Sequence, residues 1–513
     1  MNYRMIGYTL GWLLMFEAGF LVVPFVTSFF FFEWWPMVSI LITMVACGGL
    51  GFLMSHKKPE DQTLYAKDGL VIVSLSWIVL SLFGALPFVI SGSIPNYIDA
   101  FFETASGFTT TGSSIIPAVE DIPKCMLMWR SFSNWVGGMG VLVFIMAFLP
   151  LGGAQNLHIM RAESPGPTVS KLVPKMKTTA FILYLIYFVL TVIMFIVLMF
   201  DDGADAANGK MDVFEALCTS FSTAGTGGFG FLNDSFAGFS NYVQIAVTVF
   251  LFIFSINFSS YFLLIKGRFK DAINHEVRVF ILISLIAAVA IALNIYYAGP
   301  GGINSELINQ AANSDFNAET GYSLADSFKH AAFNVASIIS TCGFGTENFV
   351  AWPELSQVIL GLLMFIGGCA GSTAGGLKVS RLTILIRGVG RELKAAIHPR
   401  QVKKITIDDR PVEDEVVRSV NSYITCYIVV FVASMLLISI DPFVTDLTTG
   451  FTAVSATLNN IGPGLGAIGP ASNFSGFSWF SKIILSFDMI AGRLELIPML
   501  LLFAPSTWKK NSF

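Results

Sequence analysis

Charge is scarce in this chain of 513 residues: Asp, Glu, Lys and Arg together make up 12% of it. Soluble domains carry about twice that share, so a large solvated surface, and with it a large soluble domain, is excluded. Histidine is rare as well, with five residues, and His56, His158, His275 and His398 read as ordinary loop residues. The six cysteines (Cys47, Cys125, Cys218, Cys342, Cys369 and Cys426) form no C-x-x-C pair. Neither a zinc site nor a disulfide framework is therefore indicated, and free, buried thiols are expected. No Ser/His/Asp set, metal cluster or intramembrane carboxylate pair speaks for an enzyme.

Apolar residues fill the space that charge leaves. The chain is 54% hydrophobic, with a mean hydropathy of +0.70. Apolar runs of about 20 residues span a bilayer, and many occur here, so an all-α polytopic membrane protein is expected. Lys and Arg in short loops mark the cytoplasmic side. Segments 1–4, 56–67, 151–177, 266–278, 378–418 and 509–513 hold 24 of the 30 Lys and Arg residues. Between them lie acids: Asp201, Asp202, Asp205, Asp212, Glu306, Asp315 and Glu319. Both termini are thus expected inside, which requires an even number of crossings. The N-terminal apolar run is too long for a signal peptide and lacks a small-residue cleavage site, so it reads as a retained helix.

The chain repeats itself. The stretches "TTTGSS" (109–114), "STAGTGG" (222–228), "STCGFGT" (340–346) and "SATLNNIG" (455–462) align on Gly112, Gly225, Gly343 and Asn459, at spacings of 113, 118 and 116 residues. Thr110, Thr223, Thr341 and Thr457 stand two positions earlier. Asp99, Asp212 and Asp446 stand thirteen positions earlier, with His330 in the third copy. A fixed period of this kind is the mark of internal duplication.

Each copy has the same layout. A long apolar segment (69–91, 178–200, 278–298, 415–440) precedes a stretch of about 12 residues, too short to cross a bilayer. The Thr/Gly loop follows, then a second long apolar segment (129–150, 240–265, 356–377, 479–503). Two more apolar segments, 6–31 and 36–55, come first, which predicts ten crossings. The predicted units are two N-terminal helices over 1–66, then repeats over 67–150, 151–266, 267–395 and 396–513.

Irregular backbone at membrane depth is tolerated only where protein buries it or it lines a water-filled path. Four such loops predict a ring around a pseudo-fourfold pore, with each short helix aiming its partially negative C-terminus at a cation. An Asp would cap the outer end of that helix. The stretch "GTGGFG" (225–230) also satisfies a dinucleotide-binding fingerprint. That motif must follow a strand and open a helix, with an acid about 20 residues on. Here a helical stretch precedes it and Asn241–Gln244 occupy the window, so a nucleotide loop is not expected. Glycines that merely ease helix packing would suit one loop better than four.

The loop quartet, with "GGCAGSTAGGLKVSRL" (367–382), resembles the Trk/Ktr/HKT superfamily of potassium transporters. The two extra N-terminal helices and "NNIGPGLG" (459–466) resemble its bacterial TrkH/TrkG branch. The resemblance implies four helix–pore-helix–helix units around one permeation path for K+. It also implies a homodimer in the bacterial inner membrane, with nucleotide bound only by a cytoplasmic TrkA-type regulatory subunit. Its filter would comprise Thr110, Thr111 and Gly112; Thr223, Ala224 and Gly225; Thr341, Cys342 and Gly343; and Thr457, Leu458 and Asn459. The fourth loop departs from the glycine pattern at Asn459, with Gly462, Gly464 and Gly466 close behind, which suggests a less symmetric filter.

Gly367, Gly368, Gly371, Gly375 and Gly376, with Ser372 and Thr373 between them, should break the second helix of repeat three, since each glycine costs about 1 kcal/mol in a helix interior. The expectation is an intramembrane gate loop; a tight helix–helix contact is the other reading. Arg493 is an intramembrane charge and so a functional candidate, either facing the pore or pairing with that loop. The competing reading is an ion pair with Glu495 or Asp488. Lys378 is either a gate latch or a snorkelling anchor. The basic segment 378–404 serves as a positive-inside anchor, a docking surface for a cytoplasmic partner, or both. The rival function is a proton- or sodium-coupled symporter, but such folds use inverted repeats, whereas these units keep one orientation. Nucleic acid is not expected among the partners.

Overall fold

The computed structural model describes all residues except 62–63, 141–175, 204, 305–314, 318, 399–403, 409 and 509–513. Expectations for Glu306, His158, Arg400 and Lys403, for most of 151–177, and for the second half of 129–150 lie outside that set. The architecture is helical. The one sheet among the described residues is a two-residue hairpin, Thr406–Ile407 against Arg410–Pro411.

Among the described residues, six helices are long and apolar enough to cross a membrane: Tyr3–Phe30, Trp34–Ser55, Lys67–Ser91, Thr178–Leu198, His275–Ala298 and Asp414–Ile438. They are the two expected N-terminal segments and the first long helix of each repeat. The N-terminal pair packs closely because Gly11 and Gly51 face each other across it; a Cβ on either would collide with the other's backbone. The pair covers the first helix of repeat one, whose apolar stretch is 61% buried, against 22% for the counterpart in repeat two. That uncovered helix shows Phe181, Leu185, Phe188 and Ile196 on its outer face, as a lipid-facing helix does.

The second long helices of repeats two and four break where continuous spans were expected, and that of repeat three breaks as its glycines predicted. In repeat two, Asn241–Ser255 and Phe258–Ile265 meet at 90°. In repeat three, the helix Glu354–Ile366 stops and a new one starts at Val379. In repeat four, Trp479–Arg493 gives way to Ile497–Phe503 through Glu495 and Leu496, both at positive φ (61° and 63°). In repeat one, Lys124–Gly138 ends beside Gly140 at φ 81°. The first helix and the last described residues are neighbours: the Tyr3 hydroxyl donates to the Trp508 carbonyl at 3.2 Å.

Candidate functional site

Four short helices converge on the centre: Tyr97–Phe108, Val213–Gly225, Leu324–Ile339 and Leu447–Leu458. Each begins with a side-chain cap, which satisfies N–H groups the helix cannot. Asn96 accepts from Ile98 N–H (2.9 Å), Asp212 from Glu215 (2.6 Å), Ser323 from Asp326 (3.1 Å) and Asp446 from Thr449 (2.7 Å). Asp99, expected to cap the first helix, lies inside it and pairs with Lys482 at 2.8 Å.

The helices also end alike. The N–H groups of Thr110, Thr226, Thr341 and Asn460 donate to the carbonyls of Gly107, Thr223, Ile338 and Thr457. The next N–H groups, of Thr111, Gly227, Cys342 and Ile461, donate to Ser106, Ser222, Ser337 and Ala456. This pair of bonds is the Schellman termination, which needs a left-handed residue after the helix. Thr110, Thr226, Thr341 and Asn460 supply it, at φ 55°, 52°, 57° and 56°.

The shared geometry corrects the alignment of the repeats. Gly225 and Asn459 are not the counterparts of Gly112 and Gly343. Two residues beyond each left-handed residue stand Gly112, Gly228, Gly343 and Gly462, at φ 81°, 75°, 90° and 104°. Repeats two and four were out of register by three residues. Thr223, Ala224 and Gly225, and Thr457 and Leu458, belong to the last turns of their short helices, and Asn459 is a helix C-cap. In the corrected register Asn96, Asp212 and Asp446 each precede their glycine by 16 residues.

The four glycines form a closed ring. A Cβ on Gly112 would collide with the Gly227 carbonyl oxygen, one on Gly228 with that of Cys342, one on Gly343 with that of Ile461, and one on Gly462 with that of Thr111. Each repeat thus touches the next, and the fourth returns to the first. Asn460 Nδ2 reinforces that return by donating to Thr111 Oγ1 (3.0 Å), and Ser113 Oγ donates to the Gly462 carbonyl (3.0 Å). All four glycines line one cavity, whose walls include Ser113, Asn233, Ser235 and Asn473.

A buried pair missed in the sequence reading braces this ring. Arg130 Nε donates to Glu103 at 2.7 Å; Glu103 also accepts from Ile115 N–H in repeat one, while Arg130 donates to the Gly230 carbonyl in repeat two. Two opposite charges within apolar surroundings, in "FFETASGF" and "MWRSFSNW", were the available signal. At the rim, the His330 ring lies 3.1 Å from Asp315, and that bond, aided by Lys329, holds the Asp315 carboxyl well below its usual range despite partial burial.

Across the ring from the cavity runs residues 367–378, a loop as expected. Gly375 N–H donates to Thr341 Oγ1 at 2.5 Å, and a Cβ on Gly375 would collide with the Asn459 carbonyl. Cys369 N–H donates to the Ser255 carbonyl, and Thr373 Oγ1 to that of Phe254, at the bend of repeat two. Arg493 donates to the carbonyls of Thr373 (2.8 Å), Gly137 (2.6 Å) and Gly138 (2.6 Å), so it ties the loop to repeat one. The two acids weighed as partners of Arg493 are engaged elsewhere: Glu495 pairs with Arg381, and Asp488 accepts from Ser434. Lys378 does not snorkel: it is 1% exposed and donates to the Ala374 carbonyl within the loop. Among the described residues no group of three His, Cys, Asp or Glu side chains is placed to hold a metal; the oxygens gathered at the ring are carbonyls and hydroxyls.

Comparison with known proteins agrees with this architecture. Residues 36–510 match the TrkH family, described as cation transport proteins. The chain is 34% identical to the Trk system potassium uptake protein TrkH of Escherichia coli K12, over 99% of this chain and 100% of that one. It is 31% identical to TrkG of the same organism, over 99% of each. The crystal structure of the potassium transporter TrkH from Vibrio parahaemolyticus superimposes with a TM-score of 0.83 at 32% identity, covering 99% of this chain and 100% of that one.

Proposed function

This chain belongs to the TrkH family of cation transport proteins, a family of transporters and not of enzymes, and from that premise we propose that it takes up potassium through a channel-like pore. The closed glycine ring carries this reading. Small left-handed residues let four backbones approach one axis, which side chains would otherwise block. Carbonyl oxygens there replace the hydration shell of a cation, as in potassium filters. The filter would be Thr110, Thr111 and Gly112; Thr226, Gly227 and Gly228; Thr341, Cys342 and Gly343; and Asn460, Ile461 and Gly462. The C-termini of the four short helices add partial negative charge. Selectivity in this register does not suffer from a missing fourth glycine.

The loop over 367–378 is the gate in this reading, with Arg493 and Lys378 fastening it across the path. The protein resides in the bacterial inner membrane with both termini cytoplasmic, works as a homodimer, and receives a TrkA-type nucleotide-binding subunit on the basic segment 378–404. Rubidium and sodium flux into proteoliposomes, with and without a proton gradient, tests the proposal. Rubidium uptake that exceeds sodium uptake and needs no proton gradient is expected. Uptake strictly dependent on the gradient would favour the symporter, and absence of rubidium uptake under every condition would overturn the reading.

A further inference from the structure

One half-buried carboxylate touches both ends of the 367–378 loop. Glu276 Oε1 accepts from Ala370 N–H at 2.8 Å and from Ser380 N–H at 3.0 Å. Ala370 lies near the start of the loop. Ser380 lies in the first turn of the helix Val379–Ile397 that leaves it. A single oxygen therefore bridges the loop's two arms, beside the backbone bonds from Leu377 N–H to the Phe365 carbonyl and from Val379 N–H to the Gly368 carbonyl. Hydrogen bonds to an ionised acceptor are the strong ones, and removing the acceptor strands two N–H groups in a partly buried place. Arg493 and Thr341 hold the middle of the loop from the ring side; Glu276 holds its base from the opposite side.

Glu276 is also linked to the surface. It stands in the first turn of the helix His275–Ala298. The N–H of the preceding residue, His275, donates to Asp408 at 3.1 Å, and Arg278 one turn on pairs with the same Asp408 at 2.9 Å. Asp408 opens the turn of the hairpin, at φ 46°. Arg387, on the helix leaving the loop, donates to the hairpin carbonyl of Thr406, and its other nitrogen lies 2.9 Å from His275 Nε2. Glu276, His275, Thr383, Asp408, Arg410 and Glu413 line a common cavity against the hairpin.

We propose that Glu276 is a positioning residue that clasps the intramembrane loop closed, and that the hairpin around Asp408 grips the helix end carrying this clasp. A force on the hairpin then reaches the loop through one helix terminus, without passing through the filter. The proposal rests on the gate reading above.

The test measures rubidium flux through the full-length chain in proteoliposomes, with no cytoplasmic partner. Glu276→Ala should raise flux roughly tenfold, the shift expected for about 1.4 kcal/mol. Glu276→Gln keeps one acceptor oxygen and should recover most of the closed state, and Asp408→Ala should give a smaller rise. In a chain with Gly371–Gly376 shortened, Glu276→Ala should add nothing, because no plug remains to hold. If shortening raises flux while Glu276→Ala leaves it unchanged, or lowers it in both backgrounds, the clasp is overturned and the gate stands. If shortening leaves flux at the wild-type level, the gate reading fails and the clasp falls with it.

Discussion

The glycine ring and the loop beneath it are both irregular backbone enclosed by apolar helices, yet different bonds hold them. Each ring loop is pinned by two backbone bonds to its own short helix, the same two in every repeat. The 367–378 loop is fastened across repeats and by side chains: Arg493 from repeat four and backbone carbonyls from repeat two, with Glu276 from the distant start of its own repeat. Bonds local to a helix end form and persist with that helix. Bonds to distant side chains depend on how several elements sit, and a shift of one element releases them. The first arrangement suits a fixed filter and the second suits a part that moves.

The sharpest way to break this comparison is to strain the ring. Gly462→Ala places a Cβ at φ 104° against the Thr111 carbonyl. Strain of that kind costs about 1–3 kcal/mol before the overlap is counted. Selective rubidium uptake should be lost, with Gly228→Ala equivalent. Asn459→Gly, by contrast, should weaken packing against Tyr427, to which Asn459 Oδ1 is bonded at 3.1 Å, and leave the rubidium/sodium ratio unchanged. A changed ratio in Asn459→Gly with a normal one in Gly462→Ala would restore the register rejected above.

The loop should respond in the opposite direction. Arg493→Gln removes charge-assisted bonds to three carbonyls, each worth about 1.5–3 kcal/mol. Unassisted flux should rise at least ~10-fold, with selectivity intact because the ring is untouched. A fall in flux, or loss of selectivity, would mean that Arg493 supports the filter instead. Thr341→Val removes the hydroxyl that joins ring to loop at Gly375. A neutral bond is worth about 0.5–1.5 kcal/mol, so a rise of a few fold is expected in the same flux assay.

The sequence revealed the helices, the repeats and the loop of repeat three, because apolar length, period and five clustered glycines are local signals. The register was not legible by matching Thr-x-Gly, since repeat two holds two such triplets three residues apart, Thr223–Gly225 and Thr226–Gly228. The constant 16 residues from Asn96, Asp212 and Asp446 to the glycine would have chosen between them, had Asn96 been weighed as a cap in place of Asp99. The breaks in repeats two and four carry fainter signals: Asn257 caps the second helix of one, and Pro498 stands in the first turn after the other. The repeat-four break runs through Glu495 and Leu496 at positive φ, a conformation their sequence does not announce.

The smallest effect probes whether the ring's rigidity comes from its short helices. Asp446→Ala and Asn96→Ala each remove one cap, at a cost of about 1 kcal/mol, and both should lower the thermal midpoint without changing flux selectivity. They should differ in pH dependence. The Thr449 N–H and hydroxyl hold the Asp446 carboxyl below its usual range, against mild desolvation. A carboxyl depressed in the folded state contributes stability above its unfolded pKa of about 3.9 and loses it as pH falls toward the folded value. The deficit of Asp446→Ala should therefore be full at pH 7 and shrink below about pH 4. That of Asn96→Ala, with no titrating group, should stay constant. Asp446→Asn keeps the cap and should abolish the pH dependence while sparing most of the stability. Equal pH profiles for the two alanine variants, measured by thermal unfolding in detergent, would show that the Asp446 charge contributes nothing beyond its hydrogen bond.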